Sequence, residues 1–168
     1  MEEITIADLS LPSHAEAVVF LLNAYAQDEM DGKHALSKFV TDNLVIELRK
    51  RPGTHLVLAF TDGKPIGLAI CFEGFSTFAC KPLLNIHDVV VLPGYRGRGI
   101  SQKLLSKVEQ VAHSLGCCKL TLEVLEGNAA ARAAYASFGF SGYALSAETG
   151  NAIFLQKAFR PWAAHGRQ

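Results

Sequence analysis

The chain has 168 residues, with sixteen basic and sixteen acidic side chains, and 49% of its residues are hydrophobic. This length predicts a single domain, residues 1–168, with a sizeable core. The balanced charge gives no electrostatic case for binding nucleic acid, and there is no polybasic face for a membrane surface.

The sequence also favours a cytoplasmic protein. Its first residues lack the basic and apolar regions of a signal peptide, and no apolar run approaches the roughly 20 residues that cross a bilayer. The cysteines lack the C-x-x-C spacing of a metal site, so we expect no bound metal. We expect reduced thiols that are mainly small buried residues. The cysteines are Cys71, Cys80, Cys117 and Cys118.

The first third of the chain predicts a strand followed by two helices. Alternating side chains over residues 3–7 predict the strand. Ser13 and Glu16 have the spacing of a capping box, which predicts the start of the first helix. Ser37 is placed to cap a second helix that ends before Gly53.

The rest of the chain alternates between strands and helices. Apolar runs at 55–60 and 66–72 flank a turn sequence and predict an antiparallel hairpin. Residues 74–84 are interpreted as a long connection. A strand, a helix, a strand, a helix and a final strand pair are then expected at residues 85–92, 100–115, 120–124, 128–138, 141–145 and 152–157. The order β-α-α-β-β-β-α-β-α-β-β predicts an α/β protein with a mixed sheet and helices on both faces.

One segment carries more chemical information than the others. The apolar strand at 89–91 runs into a loop, Arg-Gly-Arg-Gly-Ile-Ser at 96–101, that opens into a helix. Glycines leave main-chain N–H groups uncovered and a helix N-terminus adds positive charge, so the loop predicts a site for phosphate oxygens. It is neither a P-loop nor a dinucleotide fingerprint. A generic glycine-rich turn is the alternative.

A second segment, about thirty residues later, helps to decide between a phosphate site and a generic turn at the glycine loop. Five residues fit the pattern Asn-x-x-Ala-x-x-x-Tyr-x-x-x-Gly-Phe, namely Asn128, Ala131, Tyr135, Gly139 and Phe140. With both segments in this order, the chain resembles the GNAT acetyltransferase family. The acyl-CoA loop of that family, Arg/Gln-x-x-Gly-x-Gly/Ala, is matched at Arg96 and Gly99. The chain departs from it at Ser101.

The resemblance implies the GNAT fold, a mixed central sheet flanked by helices, and acetyl-CoA as co-substrate. Main-chain groups of the 89–91 strand would hold the pantetheine arm, and a bulge would separate this strand from residues 119–124. Main-chain N–H groups of the loop would hold the pyrophosphate, and the loop arginines would add charge. The implied cofactor-binding residues are Val89, Val90, Val91, Arg96, Gly97, Arg98, Gly99, Ile100, Ser101, Asn128 and Tyr135.

For catalysis, the resemblance implies that Tyr135 protonates the departing thiolate as a general acid, although periodicity alone would make it a core aromatic residue. An amine nucleophile must also lose a proton. His87, Asp88 and Glu123 are the candidate bases, and strand alternation predicts opposite faces for His87 and Asp88. A satisfied structural histidine is the alternative for His87.

The acceptor is less defined. The sequence around residues 75–97 is similar to the spermidine/spermine acetyltransferase branch of the family, which implies a small primary amine. An acidic loop would attract such a cation, or is simply solvated. Acidic and aromatic candidates for the acceptor side are Asp28, Glu29, Asp31, Tyr25, Phe75 and Phe78.

We therefore expect an N-acetyltransferase that moves an acetyl group from acetyl-CoA to a polyamine-like or amino-acid-like amine by direct attack. The family resemblance also implies a homodimer. Two alternatives stay open. One is a protein or peptide N-acetyltransferase, and the other is a regulatory module that binds acyl-CoA without turnover.

Overall fold

Two units make up the protein in the computed structural model, which describes residues 1–28, 33–143, 150 and 152–159. The first unit is Met1–Leu122 and the second is Glu123–Gln168. Within the described ranges, no helix is both long enough and apolar enough to cross a membrane.

The first unit is built on a mixed five-stranded sheet with the order β1-β2-β3-β4-β5. The strands are β1 (Glu2–Ile6), β2 (Thr54–Thr61), β3 (Lys64–Ser76), β4 (Lys81–Val91) and β5 (Leu120–Leu122). The first four are antiparallel neighbours, and β5 runs parallel to β4. Asp62 and Gly63 both have positive φ, 47° and 75°, as the tight turn of a β2–β3 hairpin requires. The predicted hairpin is confirmed.

Helices cover both faces of this sheet. They are α1 (Pro12–Ala26), α2 (Lys38–Arg49) and α3 (Ile100–Ser114). On β3, Leu68 and Ile70 belong to the core cluster that α1 and α2 share. Gly67 faces the other way, where an added Cβ would lie 3.1 Å from Leu104 and 3.3 Å from Ile100 of α3. Because neighbouring strand residues point to opposite faces, α3 lies across the sheet from α1, and the predicted α/β architecture is confirmed.

The start of α1 differs from the prediction. The N-cap is Leu11, no side chain caps the helix, and Pro12 occupies its first position. Ser13 therefore lies inside the first turn, and the predicted capping box is wrong. Proline explains the difference, because its fixed φ suits the first helical position and needs no N–H acceptor. At α2 the predicted cap is confirmed, since the Ser37 hydroxyl accepts from Val40 N at 3.3 Å.

The predicted long connection at 74–84 is also wrong. β3 continues to Ser76 and β4 begins at Lys81, and these two residues pair. Gly74 had the appearance of a loop residue, but it lies within the hairpin, where an added Cβ would be 2.9 Å from Leu83. This glycine marks a close approach inside a strand rather than a turn.

The second unit contains α4 (Ala129–Phe138), which confirms the predicted helix. The final strand pair is not confirmed. Its described parts, 141–143 and 152–157, are not strands, although Ala152 N donates to Tyr143 O at 2.9 Å. Residues 144–149 and 151 lie outside the described residues.

Cys71 gives a test of the core. Burial, with the nearby Asp88 carboxylate, raises the pKa of its thiol from 9.0 to about 12. The unfolded chain then loses this proton at lower pH than the folded protein does, so stability falls as the pH rises above about 9. Between pH ~9 and ~11 the unfolded wild-type chain binds about one proton fewer at this thiol than the folded protein, so its unfolding free energy falls as the pH rises. We expect this contribution to the slope to be absent in Cys71→Ala. The exposed Cys118 supplies the control, Cys118→Ala. An unchanged slope in Cys71→Ala would contradict the raised pKa of the Cys71 thiol.

Candidate active site

The feature that organises the first unit's candidate site is a bulge in β4. Ile70 of β3 pairs with Asp88, but the next residue, Cys71, pairs with Ile86. His87 is therefore an additional residue in β4, and no residue of β3 pairs with it. The expected bulge is confirmed, two residues before the apolar 89–91 segment rather than within it.

The bulge changes which face each side chain occupies. Asp88 lies opposite Ile70, which is part of the α1 core cluster. The His87 ring packs edge-on against Phe72, which lies against the same cluster, with ring centroids 5.5 Å apart. His87 and Asp88 consequently share the α1 side of the sheet, and the prediction that they lie on opposite faces is wrong. Strict alternation holds only in a regular strand, and the extra residue breaks it.

The bulge also marks where β4 and β5 part. The two strands pair at Leu84, Asn85 and Ile86, and among the described residues no strand pairs with β4 on this side beyond Ile86. Leu92 N donates to Ile66 O on the β3 side. Because antiparallel residues alternate in their bonding, the main-chain groups of Val89 and Val91 point away from β3, towards this open edge.

The glycine loop follows β4 after a 3-10 turn at Pro93–Tyr95. Gly97 and Gly99 have φ of 74° and 77°, a left-handed conformation that side chains disfavour. Gly99 is the N-cap of α3, and no side chain caps the helix. The N–H groups of Ile100 and Ser101 thus stand at a helix N-terminus without intrahelical acceptors, which is the arrangement that binds phosphate.

The two loop arginines make different contacts. The Arg96 Nε donates to the Val91 carbonyl at 3.1 Å, and its Nη2 donates to the Asp28 carboxylate. The Arg98 guanidinium lies over the Tyr95 ring, 5.3 Å from the centroid. The side chain of Arg96 is therefore held by the protein itself, whereas that of Arg98 extends over the loop surface.

In the second unit, the Asn-x-x-Ala spacing has a direct structural meaning. The Asn128 Oδ1 accepts from Ala131 N at 3.1 Å, which caps α4. Arg132 adds a bond from its Nη1 to Glu126 O at 3.2 Å. The N-cap role considered for Asn128 is confirmed, and it uses the side-chain oxygen while leaving the amide NH₂ for other contacts.

The Tyr-x-x-x-Gly-Phe spacing describes the other end of α4. Gly139 has φ of 105°, and its N–H donates to Ala136 O while Phe140 N donates to Tyr135 O. These two bonds form a Schellman motif. The Tyr135 and Phe140 rings meet edge-on at 5.9 Å. The half-buried Tyr135 is thus fixed through both its carbonyl and its ring.

The remaining predicted residues are scattered. Phe75 and Phe78 are exposed at the end of the β3–β4 hairpin. Asp28 is paired with Arg96, while Glu29 and Asp31 lie outside the described residues. In the part of the chain that is described, no group of three or more His, Cys, Asp or Glu side chains could hold a metal.

The cysteines are all unpaired, but only Cys71 is buried. Burial is the main cause that raises the pKa of the half-buried Cys117 thiol, followed by the nearby Glu73 and Cys118. The expectation of small buried residues is wrong for Cys80 and Cys118, which are exposed.

Sequence reasoning missed two features of the first unit. The position of the bulge had a weak signal, because His87 and Asp88 are consecutive polar residues between the apolar Ile86 and Val89. The Arg96–Asp28 pair had none, since the two residues are 68 positions apart.

Comparison with known proteins agrees with this architecture. The acetyltransferase (GNAT) family model matches residues 18–140. Thialysine N-epsilon-acetyltransferase of Bos taurus is 35% identical over 74 residues, which are 44% of this chain and 43% of that protein. The Caenorhabditis elegans protein of the same name is 27% identical over 127 residues, covering 74% of this chain and 75% of the relative. The chain thus spans less than half the length of the bovine relative in their match.

A solved structure extends the agreement to the fold. The aminoglycoside N-acetyltransferase AAC(6')-Iy in complex with CoA superposes with a TM-score of 0.70 at 20% identity, covering 94% of this chain and 95% of that one. Since the family model spans well over half of the sequence, the protein belongs to the GNAT family of acetyltransferases, enzymes that use acetyl-CoA as co-substrate.

Proposed function

We propose that this protein transfers the acetyl group of acetyl-CoA to a primary amine of a small molecule, polyamine-like or amino-acid-like, by direct attack. One observation carries the proposal. The open edge of β4 lies immediately before a glycine loop that exposes the N-terminus of α3. A strand edge suits an amide-bearing arm, and a helix N-terminus suits a pyrophosphate. Together they fit the two ends of CoA.

Donor binding then divides between main-chain groups. The outward N–H and C=O of Val89 pair with amides of the pantetheine arm, as an added strand would. The N–H groups of residues 97–101 hold the pyrophosphate oxygens, with Arg98 adding positive charge. A backbone N–H of the 89–91 strand stabilises the negative charge that develops on the acetyl oxygen.

The chemistry follows from direct attack on the thioester. The amine nitrogen forms a bond to the acetyl carbon, and its proton passes to a base. The carbon–sulfur bond breaks, and the sulfur takes a proton from the Tyr135 hydroxyl. His87 and Asp88 are the proposed bases, supported by their common position beside the bulge. The Tyr135 role rests on the family pattern that Asn128, Gly139 and Phe140 complete.

The small-amine acceptor is supported by the relatives, whose names include thialysine and aminoglycoside acetyltransferases. Polyamine recognition through Asp28 is less supported, because Arg96 already neutralises this carboxylate. We also propose a cytoplasmic protein in which residues 1–168 form one GNAT domain, assembled as a homodimer. The unpaired cysteines support the first of these points, and the family resemblance supports the others.

Donor binding can be tested with a matched pair of glycine variants. Saturating CoA, at about 100 times its Kd, is expected to stabilise the wild-type protein by about 2.7 kcal/mol in thermal unfolding. Gly99→Val should abolish this stabilisation, because a side chain at φ 77° distorts the loop. Gly63→Val, at φ 75° in the β2–β3 turn, is the control. It should lose a similar amount of folding stability and keep its response to CoA. An unchanged melting temperature of the wild type with CoA would contradict the proposal.

The general acid is tested by Tyr135→Phe. The variant keeps the ring and its contact with Phe140 but lacks the proton that the thiolate requires. We expect kcat to fall by about 100-fold or more while the Kd for CoA stays within about twofold. Tyr143→Phe, which changes an exposed tyrosine of the same unit, should retain wild-type turnover. Full activity in Tyr135→Phe would remove the acid role.

The base is identified from pH profiles of kcat/KM for His87→Gln and Asp88→Asn. An imidazole base produces an acid-side fall between about pH 5 and 8, whereas a carboxylate base produces one at lower pH. We expect His87→Gln to lose the acid-side fall and about 100-fold in rate. If its profile matches that of the wild type, His87 is not the base. Asp88→Asn then becomes the decisive variant.

A panel of amines tests the acceptor. Acetyl-CoA is mixed with each amine in turn, and the released thiol is measured. The panel contains polyamines, amino acids including thialysine, aminoglycosides and N-terminal peptides. We expect release with at least one small amine. Release with peptides alone would favour a protein N-acetyltransferase. If CoA binds but no amine releases thiol, the regulatory module would replace the proposed enzyme.

A further inference from the structure

The ring of His87 packs against a second aromatic ring. His87 is the additional residue of the β4 bulge, and its side chain is exposed. Its imidazole nevertheless lies edge-on against Phe72 of β3, with ring centroids 5.5 Å apart and an angle of 71° between the ring planes. Aromatic pairs favour this T-shaped arrangement. One side of an exposed imidazole is therefore in contact with the protein.

Phe72 is itself well anchored in the first unit. Its side chain is half-buried and packs against the core cluster that α1 and α2 share. Along the sheet, Phe72 pairs with Thr54 of β2 on one side and with Asn85 of β4 on the other. Because protein interiors are close-packed, the neighbours of this ring fix its position. Phe72 thus offers His87 a rigid surface.

A bulge residue has a particular need for such a surface. In a regular ladder, cross-strand pairs help to hold each side chain in place, but the extra residue of a bulge is left out of the ladder. An exposed imidazole that lacks other support exchanges among its staggered rotamers. A general base works only within hydrogen-bond reach of the proton that it takes, so the occupancy of the correct rotamer affects the rate.

We propose that Phe72 is a positioning residue, whose ring holds the His87 imidazole in the orientation that accepts the proton of the attacking amine. The inference rests on the proposed function, in which His87 is one of two proposed bases. The proton passes from the amine nitrogen to an imidazole nitrogen as the amine nitrogen bonds to the acetyl carbon. Phe72 takes no part in this transfer and acts through His87.

The contact also distinguishes the two proposed bases. The Phe72 ring meets His87, whereas Asp88 lies opposite Ile70 in the pairing of β3 with β4. A change at Phe72 should therefore alter a reaction that uses His87 and leave one that uses Asp88 unaffected. A different role for Phe72, as a wall against which the acceptor amine packs, would alter the KM of the amine instead.

The first test compares Phe72→Leu with Phe72→Tyr. Leucine fills much of the same apolar space but offers His87 no ring, whereas tyrosine keeps the ring. We expect Phe72→Leu to lower kcat by about tenfold or more, which is the scale of a misplaced catalytic group. The KM of the amine and the Kd for CoA should each stay within about twofold of the wild-type values, as should the kcat of Phe72→Tyr. A raised KM with an unchanged kcat in Phe72→Leu would overturn the proposal in favour of a wall for the acceptor.

A double-mutant cycle shows whether Phe72 acts through His87. In the His87→Gln background the imidazole is absent, so Phe72→Leu should lower kcat further by less than about twofold. If Phe72→Leu lowers kcat by the same factor in both backgrounds, the two residues act independently and the positioning role is wrong.

Phe60→Leu is the matched control. Phe60 is another half-buried phenylalanine on the same core cluster, and its ring also meets an imidazole, that of His14, at 5.7 Å. This variant should lower the melting temperature to a similar extent as Phe72→Leu but keep the wild-type kcat. An equal fall of kcat in both variants would reveal a general effect of a loosened core and would overturn the proposal.

A spectroscopic measurement reports on the contact without turnover. The carbon-bound ring protons of His87, assigned by their absence in His87→Gln, experience the ring current of Phe72. Their chemical shifts should move towards those of free imidazole in Phe72→Leu and remain near the wild-type values in Phe72→Tyr. Unchanged shifts in Phe72→Leu would show that the ring of Phe72 does not orient His87.

Failure of the proposed function gives a different result. If the wild type releases no thiol with any amine, the proposed transferase is wrong, and the positioning role with it. If His87→Gln keeps the wild-type pH profile, the positioning role is wrong while the transferase stands with Asp88 as its base. If the wild type is active and Phe72→Leu has the same kcat, only the positioning role is wrong.

Discussion

The extra residue in β4 is the constraint on which the candidate site of the first unit depends. Because no residue of β3 pairs with His87, the alternation of β4 side chains between the two faces of the sheet shifts by one residue at this point. The pairing of β4 with β5 ends at Ile86, immediately before it. The same step places His87 and Asp88 on one face and turns the main-chain groups of Val89 and Val91 to an edge along which no strand of the described residues pairs, where Arg96 bonds the Val91 carbonyl. Without a bulge, β5 could continue to pair along β4, and those main-chain groups would be consumed in the sheet.

Local chemistry made much of the architecture predictable. The β2–β3 hairpin and the helix that begins at Ile100 follow from turn residues and apolar periodicity, which act over a few positions. In α4, the spaced pattern corresponds to physical parts: Asn128 caps the first turn, and Gly139 closes the last one in a left-handed conformation. These features were predictable because both partners of each hydrogen bond lie within one or two helical turns.

The sequence-based predictions failed where a local sequence signal was ambiguous, or where contacts between residues distant in sequence determined the structure. Ser13 fits a capping pattern, but Pro12 is better suited to the first helical position. The helix therefore begins at Pro12, with Leu11 as its N-cap. Gly74 resembles a loop residue, yet it serves close packing against Leu83 within a hairpin. The pairing of Arg96 with Asp28 depends on tertiary structure alone.

Gly67 has a consequence that reaches beyond packing. With no side chain there, Ile100 and Leu104 of α3 approach β3 closely, and Ile100 is the first residue of the helix whose N-terminus closes the glycine loop. The size of residue 67 thus sets the height of α3 above the sheet, and with it the position of the N–H groups at the helix start. A larger residue at this buried position would displace the start of α3, and with it the candidate anion site, without being part of that site, because the core is close-packed.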